Sequence, residues 1–399
     1  MESKLNDLIF GISWPRDFLD RWLLRGSEKF NELHSEAMDY GIILSLLKIV
    51  KYFYLSLTFT SVRTNIEELQ ISMPYARDDV VSYGSVMALD NIYISWNRVL
   101  PVALKSIVLT IYFLTFKRSI KPGVICCLVV SYIFYERIKS QKSKIVHFYG
   151  YSYVAEITFL AIILTEDSSL TFHFHESANY IDDYSIIDCD VIHFNTEITR
   201  DYAVKYKHKY RASEYLYTIS NDQLSQKRQK RLERDCSNKE ICIGLYSEGY
   251  YARGFQFAGE DDIKRGVEIE KKILSFFEAY AEKHSSIKFV VYPHYTRGIE
   301  TEDAVSRHYS SFLKNDNCRL NPIGKASSAE FEEVDLGVVI RSNIFWDRML
   351  EGHLTILINP FLSGNFINDT IVKEVEFDIE DLGFEKKINS FLLRHFHRG

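Results

Sequence analysis

Residues 334–360, VDLGVVIRSNIFWDRMLEGHLTILINP, read as a strand, a polar turn, a helix and a second strand. From Val334 to Ile340 the segment is almost continuously apolar, the pattern of a strand buried on both faces of a parallel sheet. Arg341-Ser342-Asn343 supply the turn, and Ser342 or Asn343 is placed to cap a helix that starts near Ile344. Gly352 suits the position that closes the helix, after which Leu354 to Ile358 resume a buried strand. Backbone N–H groups at such a helix start favour an anion and Arg341 adds a full charge, so a phosphate is the expected guest. An ordinary βαβ unit with a polar turn has the same spacing.

Outward from this stretch the alternation repeats. Residues 241–246 (ICIGLY) and 288–292 (KFVVY) read as strands around a long helix over 263–283. Earlier, 144–148 (KIVHF), 170–174 (LTFHF) and 191–194 (VIHF) read as strands, with helices over 153–164 and from Thr196. Strands alternating with helices predict parallel sheets. The polar residues His147, His173, His175, Glu176 and His193 are expected at the strand ends, the edge where open α/β sheets bind ligands. Residues 221–239 (NDQLSQKRQKRLERDCSNK) are nearly free of apolar side chains and read as a linker or a solvated helix. The expected organisation is therefore a first Rossmann-like domain over 1–220 with extra N-terminal helices, a linker over 221–239, a second Rossmann-like domain over 240–378, and a C-terminal helix over 379–399 that crosses back.

Composition narrows the function classes. The 399 residues carry 48 basic and 54 acidic side chains, a formal charge of −6, which gives no electrostatic case for nucleic-acid binding. Six cysteines without metal or redox spacing, and no basic-then-apolar leader, point to a reducing cytoplasm. The apolar run 99–116 is broken by Pro101 and Lys105, and the run 124–135 is too short to span, so both are expected as core or half-buried helices. An apolar face with Lys117, Arg118 and Lys121, resting on the cytoplasmic leaflet of the inner membrane, is the milder alternative.

The motifs resemble a family. IVHFYGYSYVAEITFLAIIL, LTFHFHES and CDVIHFNTEITRDYA, then ICIGLYSEGYYARG, KFVVYPHYTRG and IRSNIFWDRMLEG, occur in the order found in bacterial GT-B glycosyltransferases of surface-polysaccharide synthesis, including lipopolysaccharide and capsule. The resemblance covers about residues 144–360 and implies an α/β GT-B architecture, two Rossmann-like domains facing across a cleft. More narrowly, Ser247-Glu248-Gly249, Pro293-His294-Tyr295 and Ser342-Asn343 are similar to motifs of transferases that use CMP-sugars, such as sialyl and Kdo transferases. Each departs from the family's form: Ser247 replaces an acid, Tyr295 a proline and Asn343 a hydroxyl residue.

The resemblance implies a nucleotide-sugar donor, a glycan or lipid-linked acceptor and no separate cofactor. Glu248, Arg253, His294, Arg297, Arg341, Ser342 and Asn343 would then hold the donor, with positive and polar groups stabilising the leaving phosphate. Asp182-Asp183 and Asp261-Asp262 lie in polar, loop-like surroundings and not at strand ends, so metal-independent transfer is expected. Glu176, His175 and Glu156 are the candidate acids or bases on the acceptor side. His175 and Glu176 would couple if both pointed inward. Glu156 lies on an apolar helix, where an unpaired carboxylate is costly, and a nearby cation is the simpler explanation. A UDP- or GDP-sugar transferase and a non-catalytic α/β binding module of a polysaccharide assembly complex are the competing readings.

Overall fold

A computed structural model describes residues 7–8, 18–20, 22, 42–57, 67–72, 87–88, 92, 96–116, 120–150, 155–176, 186–205, 209–232, 241–247, 249, 260–293, 302–322, 327–340, 342, 344–359, 376–378, 386 and 389–390. The chain divides into two compact units, Met1–Thr218 and Ile219–Gly399.

The first unit holds a six-stranded sheet ordered β2-β1-β3-β4-β5-β6, from β1 (Glu68–Ser72), β2 (Met87–Ala88), β3 (Ile145–Gly150), β4 (Thr171–Glu176), β5 (Ile187–Thr196) and β6 (Tyr210–Ile219). The β1–β2, β1–β3, β3–β4 and β4–β5 pairs are parallel. Strands β3 and β4 alternate strictly. Val146, Phe148, Phe172 and Phe174 face the core, while His147, Tyr149, His173 and His175 form a half-exposed face. This period of two marks a sheet whose faces meet different surroundings, unlike the doubly buried strands of the second unit.

Among the described residues the helices that precede or join these strands include α1 (Ile42–Leu57), α2 (Trp96–Phe116) and α3 (Pro122–Ser140). Pro122 opens α3, where its missing N–H costs nothing, and every residue from Gly123 to Ile138 is buried. An all-round apolar helix of this kind belongs in a core. Helix α2 accommodates Pro101 in its first turns and buries Val102, Leu109 and Phe113 while its opposite side is exposed, so the run 99–116 forms a half-buried helix, as expected. No helix among the described residues is long and apolar enough to cross a membrane. Helix α4 (Ala155–Glu166) follows β3, and α5 (Glu197–Lys205) follows β5, where the Thr196 hydroxyl accepts the Thr199 N–H as an N-cap, at 3.1 Å.

The second unit begins with α6 (Asn221–Leu232), so most of the polar stretch is a helix. Its sheet runs β12-β11-β10-β7-β8-β9, from β7 (Cys242–Tyr246), β8 (Lys288–Tyr292), β9 (Cys318–Leu320), β10 (Leu336–Ile340), β11 (Leu354–Asn359) and β12 (Glu376–Asp378), and all its strand pairs are parallel. Numbered within the unit, that order is 3-2-1-4-5-6 reversed, the doubly wound Rossmann topology. The connecting helices are α7 (Glu260–Lys283), α8 (Glu302–His308) and α9 (Ile344–Leu350). Both β7 and β10 are buried at every position. The expected C-terminal helix over 379–399 lies almost wholly outside the described residues.

Candidate functional site

Adjacent strands β7 and β10 define the switch point of the second sheet. Val339 is in register with Tyr246, and the chain leaves β7 towards β8 and leaves β10 towards β11, on opposite sides. In doubly wound sheets the crevice beyond this pair of strand ends receives the ligand.

The turn after β7 is built on a buried acid. Ser247 donates its hydroxyl to Glu270 Oε1 at 2.7 Å and accepts the Gly249 N–H at 2.9 Å. Tyr309 donates to the same carboxylate oxygen at 2.6 Å, and His308 Nε2 lies 3.8 Å from it. Gly249 has φ of +65°, a left-handed conformation that a residue with Cβ adopts at a cost. The Ser247 N–H donates to the Tyr292 carbonyl at 3.0 Å, tying the end of β7 to the end of β8. Glu270 is fully buried, and its Oε2 accepts no hydrogen bond among the described residues. Sequence reasoning missed this residue, although a signal existed. Glu270 stands in the apolar stripe of α7 with Ile273, Leu274 and Phe277, where a carboxylate requires a partner.

Of the polar turn expected after β10 only Ser342 is among the described residues, and its carbonyl accepts the Phe345 N–H at 3.1 Å. Gly352, with φ of +84°, ends α9, and its N–H donates to the Met349 carbonyl at 2.9 Å. Helix α9 has only seven residues, however, so its dipole offers an anion less than a long helix would. Its notable side chain is Arg348, which is fully buried and bonded to Thr355 Oγ1, the Tyr246 hydroxyl and the carbonyls of Val334 and Leu354. Gly337 leaves the space for it: a Cβ there would lie 2.5 Å from Arg348 Nε. This arginine fastens the βαβ unit from inside. Glu248, Arg253, His294, Arg297, Arg341 and Asn343 lie outside the described residues. Asp261 and Asp262 stand in the first turn of α7 and not in a loop, a placement that the helix start itself favours.

In the first unit the four histidines come together as a ladder. The register sets His147 beside His173 and His175 beside His193. His147 Nδ1 and His175 Nε2 share a hydrogen bond at 3.0 Å, as do His173 Nδ1 and His193 Nε2 at 3.1 Å, with the donor set by tautomer. The His175 ring stacks on His193 at 4.1 Å and on Tyr149 at 4.2 Å. Burial, reinforced by the neighbouring imidazoles, pushes His175 down to about 2 and His193 down to about 4, and burial also lowers His147 and His173. The ladder is therefore neutral near pH 7. Most of these histidines sit within the strands and not at their ends, because β3, β4 and β5 all extend beyond the expected limits. Among the described residues no group of three or more His, Cys, Asp or Glu side chains is arranged to hold a metal ion.

Glu176 does end β4, and it is buried on the face opposite His175. Consecutive strand residues point to opposite sides, so the expected coupling of His175 with Glu176 does not form. Glu156, in the first turn of α4, is held by Lys48 of α1 at 2.7 Å. Burial alone would lower the Lys48 pKa, but the Glu156 charge and hydrogen bond, together with the neighbouring Cys126 and Cys127, outweigh it and raise the ammonium above the ordinary lysine value. Glu156 is thus one half of an interhelical ion pair.

No protein-family model and no curated protein matches the chain. Among solved structures it is similar to the Glycosylation Associate Protein (Gap123) complex from Streptococcus agalactiae, with 12% identity and a TM-score of 0.37 over 68% of this chain and 52% of that one. The chain spans about half the length of that structure. It is also similar to UDP-GlcNAc 2-epimerase from Neisseria meningitidis bound to UDP-GlcNAc, with 10% identity and a TM-score of 0.43 over 88% and 87% of the two chains. Acinetobacter baumannii MurG gives 10% identity and a TM-score of 0.33 over 89% and 80%. Likenesses this distant transfer no residue roles.

Proposed function

We propose that the chain is a glycosyltransferase of GT-B type that moves a sugar from a nucleotide-sugar donor to a glycan or lipid-linked acceptor in surface-polysaccharide synthesis. The observation that supports this reading most is the switch point of the second sheet, where a left-handed glycine and a serine anchored by buried Glu270 follow β7, beside the end of β10 that leads to Ser342. In doubly wound sheets the crevice beyond these strand ends is where a ligand binds. Glu248, Arg253, His294, Arg297, Arg341 and Asn343 follow these same strands in sequence and complete the donor site in this reading, with CMP-sugar as the favoured donor class. The positive groups stabilise the departing phosphate without a metal.

On the acceptor side, Glu176 is the best placed of the three candidate acids and bases. Glu156 is committed to Lys48, and His175 to the ladder. Glu176 ends β4 beside Gly150 of β3, at the edge where the loops of the first unit emerge.

Thermal shift with CMP, CDP, UDP and GDP tests the donor assignment, because a ligand that binds only the folded state raises its melting temperature. A CMP or CDP shift that survives EDTA and is lost in His294→Ala is the expected result. A UDP or GDP shift would replace the CMP assignment by the broader transferase class. No shift with any nucleotide would overturn the transferase reading in favour of a binding module.

A further inference from the structure

We infer that helices α1 and α2 form a docking face for an anionic phospholipid surface. On α2, Leu100, Leu104, Ile107, Val108, Ile111 and Leu114 are between 37% and 67% exposed. Their spacing is helical, so they make one stripe about 20 Å long at 1.5 Å per residue. On α1, Ile43, Leu46, Leu47 and Val50 repeat the pattern and are between 42% and 74% exposed. Both helices pack on buried α3, so the two stripes belong to one layer of the first unit. Single exposed leucines need no explanation, but ten large aliphatic side chains on two helices of one layer do.

Charge identifies the occupant. Neither helix contains an acidic residue, and none of the chain's 54 Asp and Glu residues falls between 91 and 135. Basic residues do occur there: Arg98, Lys105, Lys117, Arg118 and Lys121, with Lys51 exposed on α1 beside Val50. An aliphatic surface on helices that carry basic and no acidic residues is complementary to a leaflet containing anionic lipid. A protein partner is the poorer match, since protein interfaces draw most of their affinity from aromatic and arginine anchors, and among the described side chains of these two helices every large apolar one that is exposed is aliphatic. The helices lie on the surface and do not cross it. The inner flank of α2 is committed to the core through Val102, Leu109 and Phe113, leaving only the stripe for lipid. This inference does not depend on the chemistry assigned to the strand ends.

The test is sedimentation of the full-length protein with vesicles of phosphatidylcholine alone and with about a third of the lipid replaced by phosphatidylglycerol. Partition is expected to rise at least about tenfold with the anionic lipid and to fall about tenfold or more in the triple variant Leu104→Ser/Ile107→Ser/Ile111→Ser. Hydrogen exchange on the unsubstituted protein gives a second reading that does not depend on the variant folding. Added anionic vesicles should slow exchange in peptides covering 42–57 and 96–116. Absence of partition overturns the inference, as does partition without protection of these two helices. A dimer in light scattering that the triple variant breaks would also overturn it and assign the face to a second copy of the chain.

Discussion

Lys48 and Glu156 show how a candidate acid becomes a structural one. Their side chains are 24% and 12% exposed, so the pair is only partly desolvated, and removing the cation leaves a carboxylate with little water around it. Lys48→Ala is expected to cost about 2 kcal/mol of stability, below the range for fully buried pairs. Glu156→Leu should cost less, since it leaves a flexible lysine that can reach solvent. A double-mutant cycle by denaturant unfolding measures the coupling, and a value near zero would return Glu156 to the list of catalytic candidates. The sequence contained half of this answer: an acid on an apolar helix needs a partner, but Lys48 is far away in the chain and no periodicity points to it. His175 and Glu176 failed in the opposite way. They are adjacent in sequence, which suggested a pair, whereas strand alternation separates them.

At the scale of elements, the histidine ladder makes stability depend on pH. In the unfolded chain each imidazole takes a proton near pH 6.5, while in the fold His193 does so only near 4 and His175 near 2. Between these limits the unfolded state binds more protons, so stability falls as the pH drops below about 6.5. Glu68, Asp190 and Glu214 act in the opposite sense on His147 and His173 and reduce the effect. Chemical denaturation from pH 7 to 4 should show the loss, with a slope under about 1.4 kcal/mol per pH unit for each histidine because the face is half open. His175→Asn/His193→Asn should flatten it, and an unchanged slope would mean that the ladder titrates normally. The alternation in KIVHF, LTFHF and VIHF already placed the histidines on one face of each strand. Register is what turned three faces into one ladder, and register depends on long-range pairing that a single strand does not encode. The second sheet was easier to read, since continuous apolar runs punctuated by glycine and polar turns mark doubly buried strands. Strands β1 and β2 have five and two residues and carry no such signal, which left the N-terminal third opaque.

For the whole molecule, the informative boundary is the start of the second unit. Residues 221–239 read as a linker or a solvated helix because their composition is almost entirely polar, and 221–232 form the helix α6, with the second unit beginning before them. The helix is solvated along most of its described length but anchored by Leu224, which is 2% exposed. Lys227 adds a specific tie by donating to the Leu350 carbonyl at 2.6 Å, which satisfies a carbonyl at the end of α9. The backbone of Lys227 also approaches Gly352 so closely that a Cβ there would lie 2.9 Å from its carbonyl oxygen. These contacts make α6 part of the second unit and not a tether. A fragment of residues 219–399 should therefore melt cooperatively, and one of residues 240–399 should be less stable. Burying one leucine and forming one capping hydrogen bond, less the entropy of ordering a mostly polar helix, leaves about 1–2 kcal/mol. For a unit of this size that corresponds to a melting temperature lower by about 3–6 °C in the shorter fragment. Circular dichroism melts of the two fragments decide the matter: equal midpoints would restore 221–239 as a linker, and a lower midpoint for the shorter fragment, reproduced in part by Lys227→Ala in the longer one, would place the domain boundary ahead of α6.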